Sequence, residues 1–439
     1  MLLLRTPAKV LSTSVLRFPP LRIAAALGFS ALAIGIASAQ APRPAVPPAS
    51  KLLLVRHVEI LGDLAKEPAI AEHPGGALFV SGYGVMANGQ PQQVPRLWKS
   101  TDRGTTWTPV KVGSAAEGAT GNSDVSLAIA SDGTLYLVQL LFDPKAAAGV
   151  HVVVGVTKDL GVTWRWTLLA KDHWEDRPWV AVAPDGTAHV IWSDSRGVLH
   201  TMSRDDGTTW TTPRTLNPAG GSSSLAVGPH GDVAVRIIPA HAGGSEFTAG
   251  ANCIAVSTDG GRTWQKRPPP GNQDWAPSDV VGSIPRWVEP ISWDAKGSLY
   301  SLWTNIKGVW LAQSMDDGIT WRQWRVADID ALSYYPYLTA GSAGDLAATW
   351  FSGAADALQW HAAHIRIESH RPQPRIAQES GAVTGSWTAS SETSAPVPYT
   401  AGEYRPVLIL RNGNIAVVSP IRNPKTKRLG FTYWEFREP

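Results

Sequence analysis

One eight-residue pattern occurs five times in this chain of 439 residues: STDRGTTW (100–107), TKDLGVTW (157–164), SRDDGTTW (203–210), STDGGRTW (257–264) and SMDDGITW (314–321). Each copy has a hydroxyl residue two places before an aspartate, a glycine two places after it and a tryptophan five places after it. The aspartates Asp102, Asp159, Asp205, Asp259 and Asp316 fall 57, 46, 54 and 57 residues apart. Self-similarity at that period marks a fold assembled from like units, each too small to bury its own apolar face.

A second signal runs in phase with the first. Short apolar strands flank Gly-centred turns, as in SLAIASDGTLYLVQLL and WVAVAPDGTAHVIWSD, and the turn glycines are Gly76, Gly133, Gly186, Gly231, Gly297, Gly344 and Gly413. Period-two alternation around such turns is the signature of a β-hairpin. A third strand leads into the aspartate pattern and a fourth leads out of it. Four-stranded units at this spacing predict an all-β fold, a β-propeller with seven blades, six being the alternative. KLLLVRHVEIL (51–61) has no hairpin of its own, and RLGFTYWEF (428–436) lacks a fourth strand. Pairing these two segments would close the ring and remove its open edges.

The five aspartates sit where strand three turns into strand four, so they are spread around the rim and cannot converge on one substrate. Their expected role is structural. The carboxylate accepts from backbone N–H groups in the turn, glycine supplies a positive φ, and the tryptophan buries apolar area against the sheet.

The first 39 residues read differently. Arg5, Lys9, Arg17 and Arg22 precede the apolar run 23–36, which ends in Ala37-Ser38-Ala39. This is the form of a cleaved export signal, predicting a periplasmic or extracellular protein with no membrane span after cleavage. A Pro/Ala-rich linker (40–50) follows, and 51–439 forms one propeller domain. Four of the 39 basic residues and none of the 36 acidic ones lie in the leader. The remainder is therefore close to neutral, and nothing points to nucleic acid as a partner. Cys253 is the single cysteine, so no internal disulfide forms. No phosphate loop, serine-hydrolase elbow or zinc motif is present, and neither a cofactor nor a metal is expected. The oligomeric state is not readable.

The residues just before each innermost strand should gather at the mouth of the central channel. Counting back from the turn glycines gives Glu67-Pro68, Asp124-Val125, Arg177-Pro178, Ser222-Ser223, Glu289-Pro290, Tyr335-Pro336 and Arg405-Pro406, with Asp176, Arg286 and Tyr404 beside them. Trp174, Trp179, Trp275, Trp287 and Trp387 lie in or near loops where an aromatic face could stack on a sugar. Blade-to-blade packing is the other reading, equally open for Trp179 and Trp287.

The repeated pattern is the Asp box, and the chain resembles the bacterial sialidase (neuraminidase) superfamily of BNR-repeat propellers over residues 51 to 439. The resemblance implies a glycan-directed glycoside hydrolase of the exo-sialidase type with a carbohydrate or glycoconjugate partner. It assigns carboxylate binding to Arg177, Arg405 and Arg286, nucleophile to Tyr335, its base to Glu289 and acid/base to Asp124. The chain departs from the family in lacking the early Arg-Ile-Pro motif and in the order of these roles. The alternative is a non-catalytic propeller binding a glycan or protein.

Overall fold

The computed structural model describes residues 46–439 apart from 62–65, 84–92, 240–247, 272–274, 276–287, 306–307, 329–332, 354–357, 384–403, 424 and 426–428. The leader (1–39), most of the linker, Arg286, Trp287 and Trp387 lie outside the described residues. Apart from one short 3-10 turn at Ala115–Glu117, the described chain is β-structure. No described helix is long and apolar enough to cross a membrane.

The strands form antiparallel meanders. Four sheets have four strands each, and a fifth adds one parallel strand to a four-stranded meander. These five are propeller blades. The remaining sheet has seven strands and is held together by one long strand, Arg165–Val182. Residues 165–175 of that strand pair with Ala148–Thr157, and 176–182 pair with Ala188–Asp194, with register shifts on the way. The sequence reading divides this segment into two strands; the backbone runs on without a break between two hydrogen-bonded sets.

All seven turn glycines have a left-handed φ, from 70° at Gly344 to 94° at Gly133. The expected closure pair is present: Leu53–Ile60 runs antiparallel to Leu429–Arg437. Residues 49–51, which straddle the expected join of linker and propeller, add in parallel to the edge of Arg375–Ala382, covering backbone groups that would otherwise be open.

Second strands such as Leu78–Tyr83, Ala188–Asp194, Val233–Ile238 and Asp345–Ser352 are buried at every position. They are packed on both faces, because sheets stack around a ring instead of facing water. The core is accordingly a series of apolar clusters, most of them joining one strand set to the next. One links Phe79 and Leu97 to Val125 and Leu137, and another joins Ile191 and Val198 to Val235 and Ala255. At the closure, Val80 and Trp107 pack with Val418, Phe431 and Tyr433. Cys253 is buried in this core, and burial raises its thiol pKa.

The five Asp boxes share one hydrogen-bond network. In the first, Asp102 Oδ1 accepts from Ser100 Oγ (2.8 Å) and from the backbone of Thr105 (3.0 Å) and Thr106 (2.9 Å), while Oδ2 accepts from Thr106 Oγ1 (2.6 Å). The same threonine hydroxyl bond recurs at Asp159, Asp205, Asp259 and Asp316. These bonds, the threonine hydroxyl foremost, hold Asp102, Asp159, Asp205 and Asp316 at a pKa of about 2 and Asp259 lower still. The indole of Trp107 also donates back to the Gly104 carbonyl at 3.1 Å, closing the turn. A Cβ at Gly104 would lie 2.5 Å from the Tyr433 ring, so the turn must come this close to the neighbouring strand set.

Candidate functional site at the channel mouth

The residues that begin the innermost strands sit at a shared irregularity. Register shifts leave Glu67-Pro68, Asp124, Arg177-Pro178, Ser223 and Tyr335-Pro336 out of step with the adjacent strand. Glu67, Arg177 and Tyr335 have φ of 49°, 48° and 51°. A side-chain-bearing residue in that region, followed by proline, stores backbone strain on the order of 1–3 kcal/mol. Three such positions in equivalent places re-aim three polar side chains, the arrangement expected where bulges flank a site.

Hydrogen bonds tie the mouth together across strand sets. The Arg177 backbone N–H donates to Asp124 Oδ2 at 3.3 Å, and the Arg177 guanidinium lies 3.6 Å from Asp176. Ser222 Oγ donates to the Arg177 carbonyl (2.8 Å), and the Glu289 N–H donates to Ser223 Oγ (2.8 Å). Asp124 in turn hydrogen-bonds to Glu67, whose carboxyl also accepts from Tyr83 Oη at 2.5 Å. Burial, reinforced by the charge of Asp124 and opposed by Lys66, pushes the Glu67 pKa up to about 7.

Tyr404 lies at the centre of this group. Its ring centroid is 5.2 Å from that of Trp179 and 6.0 Å from that of Tyr337. Burial pushes its hydroxyl pKa up, and Asp124, Arg177 and Glu67 are close enough to act on it electrostatically. Trp179 and Tyr337 also line the central cavity of about 410 Å³, together with Ala69, Val125, Leu225 and Pro406 from other innermost strands.

The predicted arginines differ sharply. Arg405 is 2% exposed; its guanidinium lies 3.7 Å above the Phe351 ring centroid, and its Nε and Nη1 have no hydrogen-bond partner among the described residues. Burial alone pushes its pKa well below the ordinary arginine range. Tyr335 packs in the same apolar cluster as Phe351, with its ring edge-on to Tyr334. Glu289 is ion-paired to Arg236, which also donates to Asn252 Oδ1 at 2.6 Å and the Cys253 carbonyl at 3.1 Å. Sequence reasoning missed Arg236. Its one signal was a charged residue inside VAVRII, a strand otherwise apolar.

Thus Asp124, Arg177 and Trp179 lie around Tyr404, Tyr335 and Arg405 share Phe351 as a neighbour, and Glu289 is engaged by Arg236. Trp174 is exposed and apart from the channel lining. Among the described residues, no group of three or more histidine, cysteine, aspartate or glutamate side chains is arranged to hold a metal ion.

A family model described as a BNR repeat-like domain matches residues 51–268. No curated protein matches the chain. Among solved structures, it is similar to a GH93 alpha-L-arabinofuranosidase of Fusarium graminearum, at 12% identity over 89% of this chain and 98% of that one, with a TM-score of 0.47. A YCF48 structure bound to a D1 peptide matches at 12% identity over 90% and 98%, with a TM-score of 0.46. The intramolecular trans-sialidase from Ruminococcus gnavus matches at 12% identity over 86% and 97%, with a TM-score of 0.41. The repeat-family match identifies residues 51–268 as BNR repeat-like and, together with five Asp boxes bonded in one way, supports the sialidase-like class of BNR-repeat propellers.

Proposed function

We propose that this protein is an exported, seven-bladed propeller whose channel mouth binds and hydrolyses a glycan bearing an anionic group. The observation that carries the reading is Arg405. A buried guanidinium with two donor nitrogens lacking partners among the described residues is costly to fold, and stacking on Phe351 recovers only part of that cost. A carboxylate or sulfate on the sugar supplies the missing acceptors in the planar geometry a guanidinium prefers. Arg177 provides a second positive charge, Asp124 the proton donor to the leaving group, and Trp179 an apolar face for the ring. In the exo-sialidase form of the reading, Tyr335 attacks the anomeric carbon as the glycosidic C–O bond breaks, and its hydroxyl proton passes to the Glu289 carboxylate, which Arg236 holds in place.

Support for seven blades comes from the strand pairing. The long strand 165–182 belongs to two hydrogen-bonded sets, and dividing it there adds two four-stranded units to the five already separate. Support for export comes from the leader 1–39, and sequencing the N-terminus of the protein recovered outside the cytoplasm tests it.

A second reading, binding without turnover, is favoured by burial. Glu67, Tyr335, Glu289 and Arg405 are each 4% exposed or less. Purified protein assayed against acidic and neutral fluorogenic glycosides, and in parallel on a glycan array, separates the two. Cleavage of acidic glycosides supports hydrolysis; array binding without cleavage supports the second reading.

A further inference from the structure

Glu67 and Asp124 start the innermost strands of successive sheets, 57 residues apart in sequence, and their side chains are hydrogen-bonded to each other. Two carboxyl groups in direct contact cannot both ionise without strong repulsion, so a proton held between them is the stable state. The groups around them are unequal. Glu67 is buried, accepts from Tyr83 Oη at 2.5 Å and has the Lys66 ammonium 3.8 Å from Oε1. Asp124 is half-buried and accepts from the Arg177 N–H, with Asp176, Tyr404 and the Arg177 guanidinium in the same group. Glu67 is thus fixed on several sides, and Asp124 is the more exposed of the two.

We propose that Glu67 and Asp124 share one proton at neutral pH, Glu67 serving as the store that keeps Asp124 supplied during turnover. The catalytic half of this statement rests on the hydrolytic reading above; the shared proton does not. In the step, the proton passes from Glu67 through Asp124 to the leaving-group oxygen as the glycosidic C–O bond breaks. Both carboxylates are then ionised beside Lys66, and the water that adds to the anomeric carbon returns a proton to the pair. Glu67 is a positioning and proton-storing residue, acting through Asp124.

The direct test is carbon NMR of the full protein labelled at the glutamate carboxyls, with the Glu67 signal identified by its loss in Glu67→Gln. Glu67 should titrate with a midpoint near 7. The midpoint should fall in Asp124→Asn, which removes the neighbouring charge, and rise in Tyr83→Phe, which removes a bond to the ionised form. A Glu67 that titrates with ordinary glutamates near 4.5, or that ignores Asp124→Asn, overturns the shared proton. On a cleaved substrate, Glu67→Gln should lower kcat about tenfold or more, leave KM within about twofold and move the alkaline limb of the pH profile. An unchanged kcat and limb overturns the storage role. If Glu67 titrates near neutrality and no glycoside is cleaved, the hydrolytic reading fails and the shared proton stands.

Discussion

Arg236 and Glu289 form an ion pair in which the two side chains expose 0% and 1% of their surface, joining two successive sheets. Removing one partner strands the other charge in the core. Arg236→Met should therefore cost about 3–5 kcal/mol of stability. Replacing both, as Arg236→Met with Glu289→Leu, should restore a large part of it. Denaturant unfolding of the single and double variants provides the check. A single variant as stable as the parent would mean that water reaches the pair.

Arg405 should behave in the opposite way. It has no anionic partner among the described residues, so Arg405→Met removes a charge that opposes folding and keeps the contact with Phe351. The variant should melt at the parent's temperature or above it, while affinity for an acidic glycan falls about tenfold or more. Thermal melts and titration calorimetry read the two effects separately. A large loss of stability would assign Arg405 to the scaffold.

Glu67 makes stability depend on pH. Its folded pKa lies above its unfolded value, so its contribution is fully present below about 4.5 and is lost as pH rises through about 7. Between pH 5 and 8 the fall should be on the order of 3 kcal/mol at most. Glu67→Gln should flatten that part of the curve. Chemical unfolding across the range tests this, and a curve equally steep in the variant would place the titrating group elsewhere.

The Asp boxes should matter to the fold alone. Their aspartates have depressed pKa values, so their contribution holds above the ordinary aspartate value and is lost as pH falls towards 2. Asp205→Ala should lower the melting temperature by about 2–4 °C and leave any turnover at the channel mouth unchanged. Loss of activity in a folded variant would contradict the separation of rim and mouth.

The legibility of the sequence followed the range of the interactions. Asp102 and its bonds span four residues, and Gly133 sits in a turn closed between Ala130 and Thr134, so both could be read locally. The irregularities ahead of the innermost strands carry a local mark as well, because Pro68, Pro178 and Pro336 sit within the register shifts. Pairings between sheets were not. Arg236 meets a residue 53 positions away, and Glu67 meets Asp124 through a contact that no spacing rule encodes. The continuity of Arg165–Val182 was not legible either, since its two halves pair with different neighbours, 148–157 and 188–194, far from each other in sequence.

Turnover by the parent protein and by Arg405→Met, measured on matched acidic and neutral glycosides, tests the central claim most directly. The account predicts cleavage of at least one acidic glycoside by the parent and its loss in a variant that melts no lower. A parent that neither cleaves nor binds any acidic glycan, or an Arg405→Met variant that cleaves as fast as the parent, would contradict it.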